Sequence, residues 1–237
     1  MRANSSHAQK VSTAPLPRGP HKLPPEVVAS NQRERLIAAT ASCLAERGYA
    51  SMSVAHIIAA AGVSRATFYA YFENKRDCVI AAHELTFERL TARIFRACGS
   101  QREWPLKVKA AIADSLAFVG EDPERARLLF LDALAADLEV ARRVLDSNAH
   151  LAALLRSGRR QGGGGGEPLS ELTEEAVIGA ITSITSGRLL AGQPLDDLEP
   201  QLVIFALTPY VGSREAERIA AEPLEPSFPL AEAAAQS

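Results

Sequence analysis

One stretch, AGVSRATFYAYFENK at residues 61–75, constrains this chain more than any other. It places a Gly-Val-Ser turn between two segments of helical periodicity, and Phe68 and Phe72 follow that turn four residues apart. Residues four apart share one face of an α-helix, so the two phenyl rings are predicted to anchor a short helix in a core. Arg65 and Tyr69 are also four apart on a different flank, which is therefore predicted to face outward.

The residues before and after this stretch predict neighbouring helices. Apolar residues recur at three- and four-residue spacing from Leu36 to Ala45, which indicates a helix that Gly48 ends as a C-cap. A second, short helix is predicted over 54–61. The predicted N-caps of the second, third and fourth helices are Ser53, Ser64 and Asn74. Three short helices with a Gly-containing turn between the second and third form a helix-turn-helix, whose third helix is offered to the DNA major groove.

Charge is distributed unevenly along the chain, although the formal net charge is only -2. Up to residue 76, ten Lys or Arg stand against four Glu, which gives +6; beyond it, 16 basic residues stand against 24 acidic ones, which gives -8. This asymmetry predicts that only the N-terminal part meets a polyanion.

The remainder of the chain is also predicted to be helical. Hydrophobic residues make up 47% of the sequence and charged residues 23%. Ala and Leu are far more frequent than Val and Ile in the alternating pattern that is typical of β-strands. A fourth helix is predicted from Lys75 to about Cys98. The glycine run at 161–168 is predicted to be a surface loop rather than a phosphate-binding loop, because no Lys-Ser or Lys-Thr follows it. Further helices are predicted over 105–119, 123–135, 138–160, 172–191 and 198–221. The predicted fold class is therefore all-α.

Both ends of the chain have the composition of disordered segments. Residues 1–29 form a predicted disordered basic tail and residues 222–237 a second disordered tail. No apolar run is long enough to span a membrane and no secretory signal is evident, so we expect a cytoplasmic protein without membrane contact. Cys43, Cys78 and Cys98 lack the spacing of a metal or redox site and are predicted to be small buried residues.

The segment from about Arg33 to Leu85 resembles the DNA-binding domain of TetR-family transcriptional regulators. The residues that carry the resemblance are Gly48-Tyr49, Ser53, Ala61-Gly62-Val63-Ser64, Thr67-Phe68-Tyr69, Phe72 and Lys75. Two positions depart from the family pattern, which most often has Gly where Ala66 stands and His where Tyr71 stands. Neither residue interrupts a helix, and Tyr71 is expected to change a phosphate contact or a base preference.

By this resemblance, residues 30–76 are a DNA-binding domain and residues 77–221 a helical domain for ligand binding and dimerisation. Double-stranded DNA is the expected partner, and Arg65 is the expected reader of base edges. The other residues that the resemblance assigns to the DNA interface are Ser53, Ser64, Thr67, Tyr69, Tyr71 and Lys75. The alternative for each is a solvated surface residue, which is also our interpretation of Arg33 and Arg35.

In the same family the C-terminal helices enclose a small-molecule pocket, but no motif in this sequence specifies a ligand. The polarisable or aromatic residues that could line such a pocket are Trp104, Phe118, Phe130 and His150, with plain core packing as the alternative. No His or Cys pair has metal-ligand spacing, and no nucleophile, base and orienting group stand at a recognisable spacing. We therefore expect no metal, no cofactor and no enzymatic activity.

The last two long helices carry more apolar side chains than one small domain can bury, which predicts a homodimer and a pseudo-palindromic operator. The apolar residues concerned are Ile178, Ile181, Ile184, Leu189, Val203, Phe205 and Leu207. The expected function is a repressor that an unidentified small-molecule effector releases from DNA. The alternatives are a ligand-independent regulator and a non-specific architectural DNA binder of the same fold.

Overall fold

The computed structural model describes residues 25–133, 136–161 and 169–225. The all-α prediction is confirmed, because these residues form helices and connecting turns and contain no strand. The chain divides into two compact units, the first ending at Ala82 and the second beginning at His83. This division falls inside a helix, a few residues beyond the domain limit expected at residue 76.

The first unit contains three helices and the start of a fourth: α1 (Pro25–Ser51), α2 (Val54–Ala61), α3 (Arg65–Tyr71) and α4 (Lys75–Gly99). Helix α1 begins before residue 30, so residues 25–29 of the predicted tail are helical, whereas the rest of that tail lies outside the described residues. Gly48 interrupts α1 with φ 69° and ψ 162°, which agrees with the helix end predicted there.

The core of the first unit joins one face of α1 to α2, α3 and the first turns of α4. Leu36 and Leu44 of α1, Ile57 of α2 and Phe68 of α3 are completely buried. The Thr40 hydroxyl bonds the Leu36 carbonyl over 2.8 Å and contacts the Cys78 thiol of α4 at 3.0 Å. A polar group at this depth is tolerated because it is paired.

The second unit contains the rest of α4 and the remaining helices: α5 (Trp104–Glu121), α6 (Pro123–Arg127), a π-helical turn (Leu128–Asp132), α7 (Leu138–Gln161), α8 (Thr173–Leu190), α9 (Leu198–Val211) and α10 (Ser213–Ala221). The single helix predicted over 198–221 is wrong, since Gly212 adopts φ 78° and ψ 163° and separates α9 from α10. The glycine loop at 162–168 and residues 226–237 lie outside the described parts of the chain.

Two helices, α5 and α9, supply most of the core of the second unit. The buried residues of this core include Val108, Ile112, Leu116, Val177, Leu198, Leu202, Val203, Ala206, Leu207, Ala216 and Ile219. A buried lysine, Lys109 of α5, donates to the carbonyl oxygens of Ile219 and Ala220 over 3.3 and 2.7 Å and also to that of Glu222. It thereby adds a donor to the carbonyls at the C-terminus of α10, where a helix runs out of backbone partners. Across the described residues, no helix combines the length and the apolar character that a membrane span requires.

Candidate nucleic-acid interface and ligand cavity

The turn that precedes α3 is fixed by hydrogen bonds at both of its ends. Gly62 has φ 62° and ψ 39°, in the left-handed region that favours glycine. The N–H of Val63 donates to the Ile58 carbonyl over 3.3 Å. The hydroxyl of Ser64, the N-cap of α3 as predicted, accepts from the N–H of Thr67 over 3.0 Å. The direction of α3 is thus set by the end of α2 and by its own cap.

Arg35 of α1 closes the same turn, so its interpretation as a solvated charge is wrong. Its guanidinium donates to the carbonyl of Ala61 and, over 3.3 Å, to that of Gly62. These acceptors lie at the C-terminus of α2, where carbonyls lack helical partners and a positive charge is favourable. The sequence indicates that this helix end needs a donor. Which side chain supplies it depends on the packing of α1 against α2.

The aromatic residues of α3 divide between the core and the surface. Phe68 is fully buried and Phe72 is 5% exposed, and their ring centroids lie 5.8 Å apart. Tyr69 is 48% exposed, with its ring edge-on to Phe68 at 5.3 Å. The predicted division is confirmed: the phenyl rings hold the helix in place, and the Tyr69 phenol lies at the surface.

The outward flank of α3 brings four of the predicted DNA-contact residues onto adjacent turns. Arg65 is exposed, its guanidinium lies 5.7 Å from the ring centroid of Tyr69, and its Nη2 is 3.5 Å from the Tyr69 hydroxyl oxygen. The hydroxyls of Ser64 and Thr67 are 2.8 Å apart at the start of the helix. The contact with the Tyr69 ring restricts the conformations of the Arg65 side chain, so the guanidinium and the phenol hydroxyl lie on the same side of α3.

Tyr71 and Ser53 are each engaged in a hydrogen bond within the unit. The Tyr71 hydroxyl is 3.5 Å from the side-chain oxygen of Gln32 in α1. Ser53 is the N-cap of α2, as predicted: its hydroxyl accepts from the N–H of His56 over 3.3 Å, and its own N–H donates to the His56 imidazole over 3.3 Å. Histidine here occupies the place that Glu or Gln usually takes in a capping box, so the usual sequence pattern of this motif is absent.

Lys75, the first residue of α4, is bound inside the unit. Its ammonium donates to the carbonyls of Tyr49 over 2.7 Å and Met52 over 2.9 Å, and lies 4.3 Å from the ring centroid of Tyr49. Two of its three N–H donors are therefore used to hold the last turn of α1 and the residue that follows this helix. Its contact with a phosphate stays a prediction.

The second unit contains a cavity of about 510 Å³, lined mainly by Leu, Ile, Val and Ala side chains of α4, α5, α7, α8 and α9. Two of the four predicted pocket residues, Trp104 and Phe130, line it. Phe118 and His150 lie elsewhere. Phe118 is buried against Leu129. The guanidinium carbon of Arg93 lies 5.5 Å from the centroid of the Phe118 ring.

His150 is an exposed residue of α7 whose ring packs edge-on to Phe87 at 6.1 Å. Helical periodicity predicts that His150 and Phe118 lie in helices. It does not predict which neighbouring helix each side chain contacts, because that depends on tertiary packing.

The cysteines follow their prediction in the main. Cys43 and Cys78 are buried, while Cys98 is half-buried and lines the cavity. Burial raises the pKa of all three thiols, that of Cys78 to about 12, so the thiol form is favoured at neutral pH. Within residues 25–133, 136–161 and 169–225, no group of three His, Cys, Asp or Glu residues is placed to hold a metal ion.

A short helix anchored by buried rings, preceded by a capped glycine turn and carrying exposed Arg and Tyr side chains, defines a helix-turn-helix DNA-binding protein. Residues 36–82 match the family described as bacterial regulatory proteins, tetR family. The N-terminal part of the chain is therefore similar to the DNA-binding domain of TetR-family transcriptional regulators.

Two curated relatives match the same part of the chain. The transcriptional regulator AcuR of Cereibacter sphaeroides is 40% identical over 70 residues, and the HTH-type transcriptional regulator CymR of Pseudomonas putida is 37% identical over 65 residues. The matches cover 28% and 27% of this chain and 32% of each relative. The chain therefore matches about a third of the length of these relatives.

Similarity of fold extends further along the chain. The regulator FadR from Bacillus subtilis, solved in complex with stearoyl-CoA, superimposes with a TM-score of 0.65 over 76% of this chain and 98% of its own, at 22% identity. At this identity the likeness concerns the fold, and it includes helices of the second unit.

Proposed function

We propose that this protein is a transcriptional repressor that binds a pseudo-palindromic operator as a homodimer and releases it when a small molecule enters the cavity of the second unit. The observation that carries the proposal is the division of α3, with Phe68 and Phe72 buried and Arg65 and Tyr69 exposed. A helix held in this way presents its polar flank to a major groove. The excess of basic residues up to residue 76 favours the DNA backbone as its partner.

Each exposed group on α3 has a distinct expected contact. Arg65 carries the planar guanidinium that pairs with the two acceptors on a guanine edge, so it reads the base. The hydroxyls of Ser64, Thr67 and Tyr69 donate to phosphate oxygens and fix the register of the helix on the duplex. Lys75 keeps one N–H for a phosphate, beside the first backbone amides of α4. Ser53 and Tyr71 complete the interface from its margins.

The dimer is supported by an exposed apolar surface on α8 and α9. Ile184 is 40% exposed and Phe205 45% exposed. Gly179 and Gly187 of α8 are also exposed, and a methyl group added at either would meet nothing within 4 Å. Small residues beside large apolar ones let a second copy of α8 approach closely. Leu190, at the end of α8, is 72% exposed and extends this surface.

Other apolar residues that the sequence predicts for the subunit interface lie in the core or in the cavity of the second unit. Val203 and Leu207 are completely buried in the core of their own unit, and Ile178 and Ile181 line the cavity. The dimer surface we propose is therefore narrower than the full apolar content of the two helices suggests, and it is centred on Ile184 and Phe205.

Release by a ligand is supported by the cavity and by the continuity of α4. Helix α4 begins at Lys75, next to α3 in the sequence, and Ile94, Phe95 and Cys98 near its end line the cavity. A ligand that binds more tightly to one position of α4 than to another changes the affinity for the operator by the difference between its two binding free energies. A coupling of about 1 to 3 kcal/mol changes operator affinity by roughly 5- to 150-fold. The stearoyl-CoA complex of FadR supports the view that this fold accommodates a small molecule.

The experiment that tests the proposal is selection of bound duplexes from a random pool with the full-length protein. We expect an enriched inverted repeat, because a two-fold dimer presents two copies of α3. Arg65→Ala is expected to relax the preference at one base pair of each half-site by roughly 1 to 3 kcal/mol, whereas Tyr69→Phe is expected to weaken all duplexes about equally. A pool without any enriched sequence would identify a non-specific architectural binder instead.

A further inference from the structure

The cavity of the second unit is lined along most of the length of α5. Its lining residues on α5 recur every three or four positions, which places them in one stripe along the helix: Trp104, Lys107, Val108, Ala111, Ile112, Ser115, Leu116 and Val119. From the first to the last of these the helix rises about 22 Å at roughly 1.5 Å per residue. The volume of about 510 Å³ is thus spread along most of α5.

One end of this cavity reaches the surface. The lining includes the exposed residues Phe95 and Gly99 near the end of α4 and Ser157 near the end of α7. Trp104 and Lys107, at the start of α5, line the same end. The other end is formed by Leu90 and Val119, which are both buried. The open end of the cavity is therefore beside Lys107, and the closed end is beside Val119.

The polar groups of the lining are few, and all but one are uncharged. The Ser115 and Thr182 hydroxyls donate to the carbonyls four residues earlier in their own helices, over 2.6 and 2.8 Å. Lys107 is the one charged residue among the lining residues, and no Asp or Glu accompanies it there. Burial raises the pKa of the neighbouring Cys98 thiol, and the Lys107 charge opposes that rise, so the field of the ammonium reaches the cavity.

We propose that the effector is an elongated amphiphile, a long acyl chain with an anionic end, whose chain lies along α5 and whose anion pairs with Lys107 at the entrance. An apolar channel favours hydrocarbon and gains from its length, since each buried methylene contributes about 0.8 kcal/mol. A single cation at the open end favours one negative charge there and disfavours a cationic ligand. This inference rests on the proposed function, because it names the class of molecule that the regulatory cavity accepts.

Calorimetric titration of the full-length protein tests the proposal with probes that separate charge from shape. Dodecanoate and dodecanoyl-coenzyme A carry the chain with an anionic end, dodecanol carries the chain alone, and benzoate carries the anion on a compact ring. We expect at least one of the two anionic chains to bind roughly 10-fold or more tightly than dodecanol, and benzoate to bind more weakly than dodecanoate. The comparison of dodecanoate with its coenzyme A thioester identifies the source of the anion. Trp104, the one tryptophan of the chain, lines the cavity and gives an independent fluorescence signal.

The variant Lys107→Met keeps the aliphatic stem and removes the charge. It is expected to weaken binding of the anionic chain by roughly 10- to 100-fold and to leave dodecanol binding unchanged, which also shows that the cavity is intact. Arg96→Met is the matched control, because Arg96 is an exposed cation of α4 that does not line the cavity.

Equal binding of dodecanol and the anionic chains, tighter binding of benzoate than of dodecanoate, or no binding of any chain would overturn the inference. The duplex selection described above is independent of these titrations. An enriched operator without binding of the anionic chains would contradict only this inference. Binding of dodecanoate without any DNA binding would contradict the proposed function.

Discussion

At the scale of single residues, neighbouring aromatic positions of α3 have opposite environments. Phe68 is fully buried, and Tyr69, the next residue, is 48% exposed. A helix turns by about 100° per residue, so adjacent side chains reach different surroundings. The energetic consequences of replacing them should therefore differ in kind.

Phe68→Ala is expected to lower the free energy of unfolding of the first unit by about 3 to 5 kcal/mol, because it leaves a cavity beneath α3. Tyr69→Ala is expected to change that free energy by less than about 1 kcal/mol and to weaken DNA binding. Thermal unfolding by circular dichroism and DNA binding by fluorescence anisotropy separate the two effects. Equal loss of stability in both variants would contradict the division of α3 between core and surface.

His83 of α4 is the residue that should make stability depend on pH. It is 1% exposed, stacks on Phe87 with centroids 6.3 Å apart, and its Nδ1 atom has no hydrogen-bond partner among the described residues. Burial lowers its pKa from 6.5 to about 4, because the charged imidazolium is poorly solvated there. Between these two values the unfolded chain binds the proton and the folded chain does not, so stability falls as pH falls.

Acidification from neutral pH to about pH 4 is thus expected to lower the free energy of unfolding by about 2 to 3 kcal/mol through His83. The measurement is chemical denaturation at several pH values, comparing the natural protein with His83→Leu, in which this part of the slope should be absent. His150→Leu is the control, since His150 is exposed. An unchanged slope in the His83 variant would show that another group causes the dependence.

At the scale of elements, helix ends are held by side chains from other helices. Arg35 binds the C-terminus of α2, Lys75 the segment before α2, and Lys109 the C-terminus of α10. In each case a cation meets carbonyls at or beside a helix end, so it adds a hydrogen-bond donor there and complements the helix dipole. Positions that resemble ordinary surface charges in the sequence thereby fix the orientation of neighbouring helices.

Lys109→Met is expected to lower the free energy of unfolding by about 1 to 3 kcal/mol, because it removes the side-chain donor from the carbonyls at the C-terminus of α10. Lys107→Met, two residues away and half-buried, should cost less than about 1 kcal/mol. Urea denaturation of both variants gives the comparison, and hydrogen exchange should place the loss of protection in α10. The same stability in the two variants would argue that the Lys109 contacts contribute little.

At the scale of the whole molecule, the proposed regulation depends on two copies of the chain. Phe205→Asp introduces a charge into the centre of the apolar surface on α8 and α9, and burying an unpaired carboxylate is costly. We expect sedimentation velocity to show a monomer and operator affinity to fall, while circular dichroism remains that of a folded helical protein.

Gln201→Asp, an exposed position one turn earlier on α9, is the matched control for added charge. A dimer that persists in the Phe205 variant would place the subunit interface on another surface.

Local sequence patterns determined much of the first unit. The N-caps Ser53 and Ser64 and the helix between 54 and 61 are confirmed, because caps and turns depend on residues within a few positions of one another. The four-residue spacing of Phe68 and Phe72 predicts that both lie in the core, since one helical face must be buried in a small domain. The order of helices along the second unit was also largely predictable, except at Gly212, where a positive φ separates two helices.

The features that sequence patterns specify are therefore local: the helical class, the helix-turn-helix and the outward position of Tyr69. Packing between helices sets the partners that are distant in the sequence, such as Arg35 with the end of α2 and Lys109 with α10. It also sets which residues line the cavity, which include Trp104 and Phe130 but not Phe118 or His150. The physical reason is that periodicity specifies which face of a helix is apolar. Which other helix covers that face, and where a space is left between them, depends on how all the faces pack together.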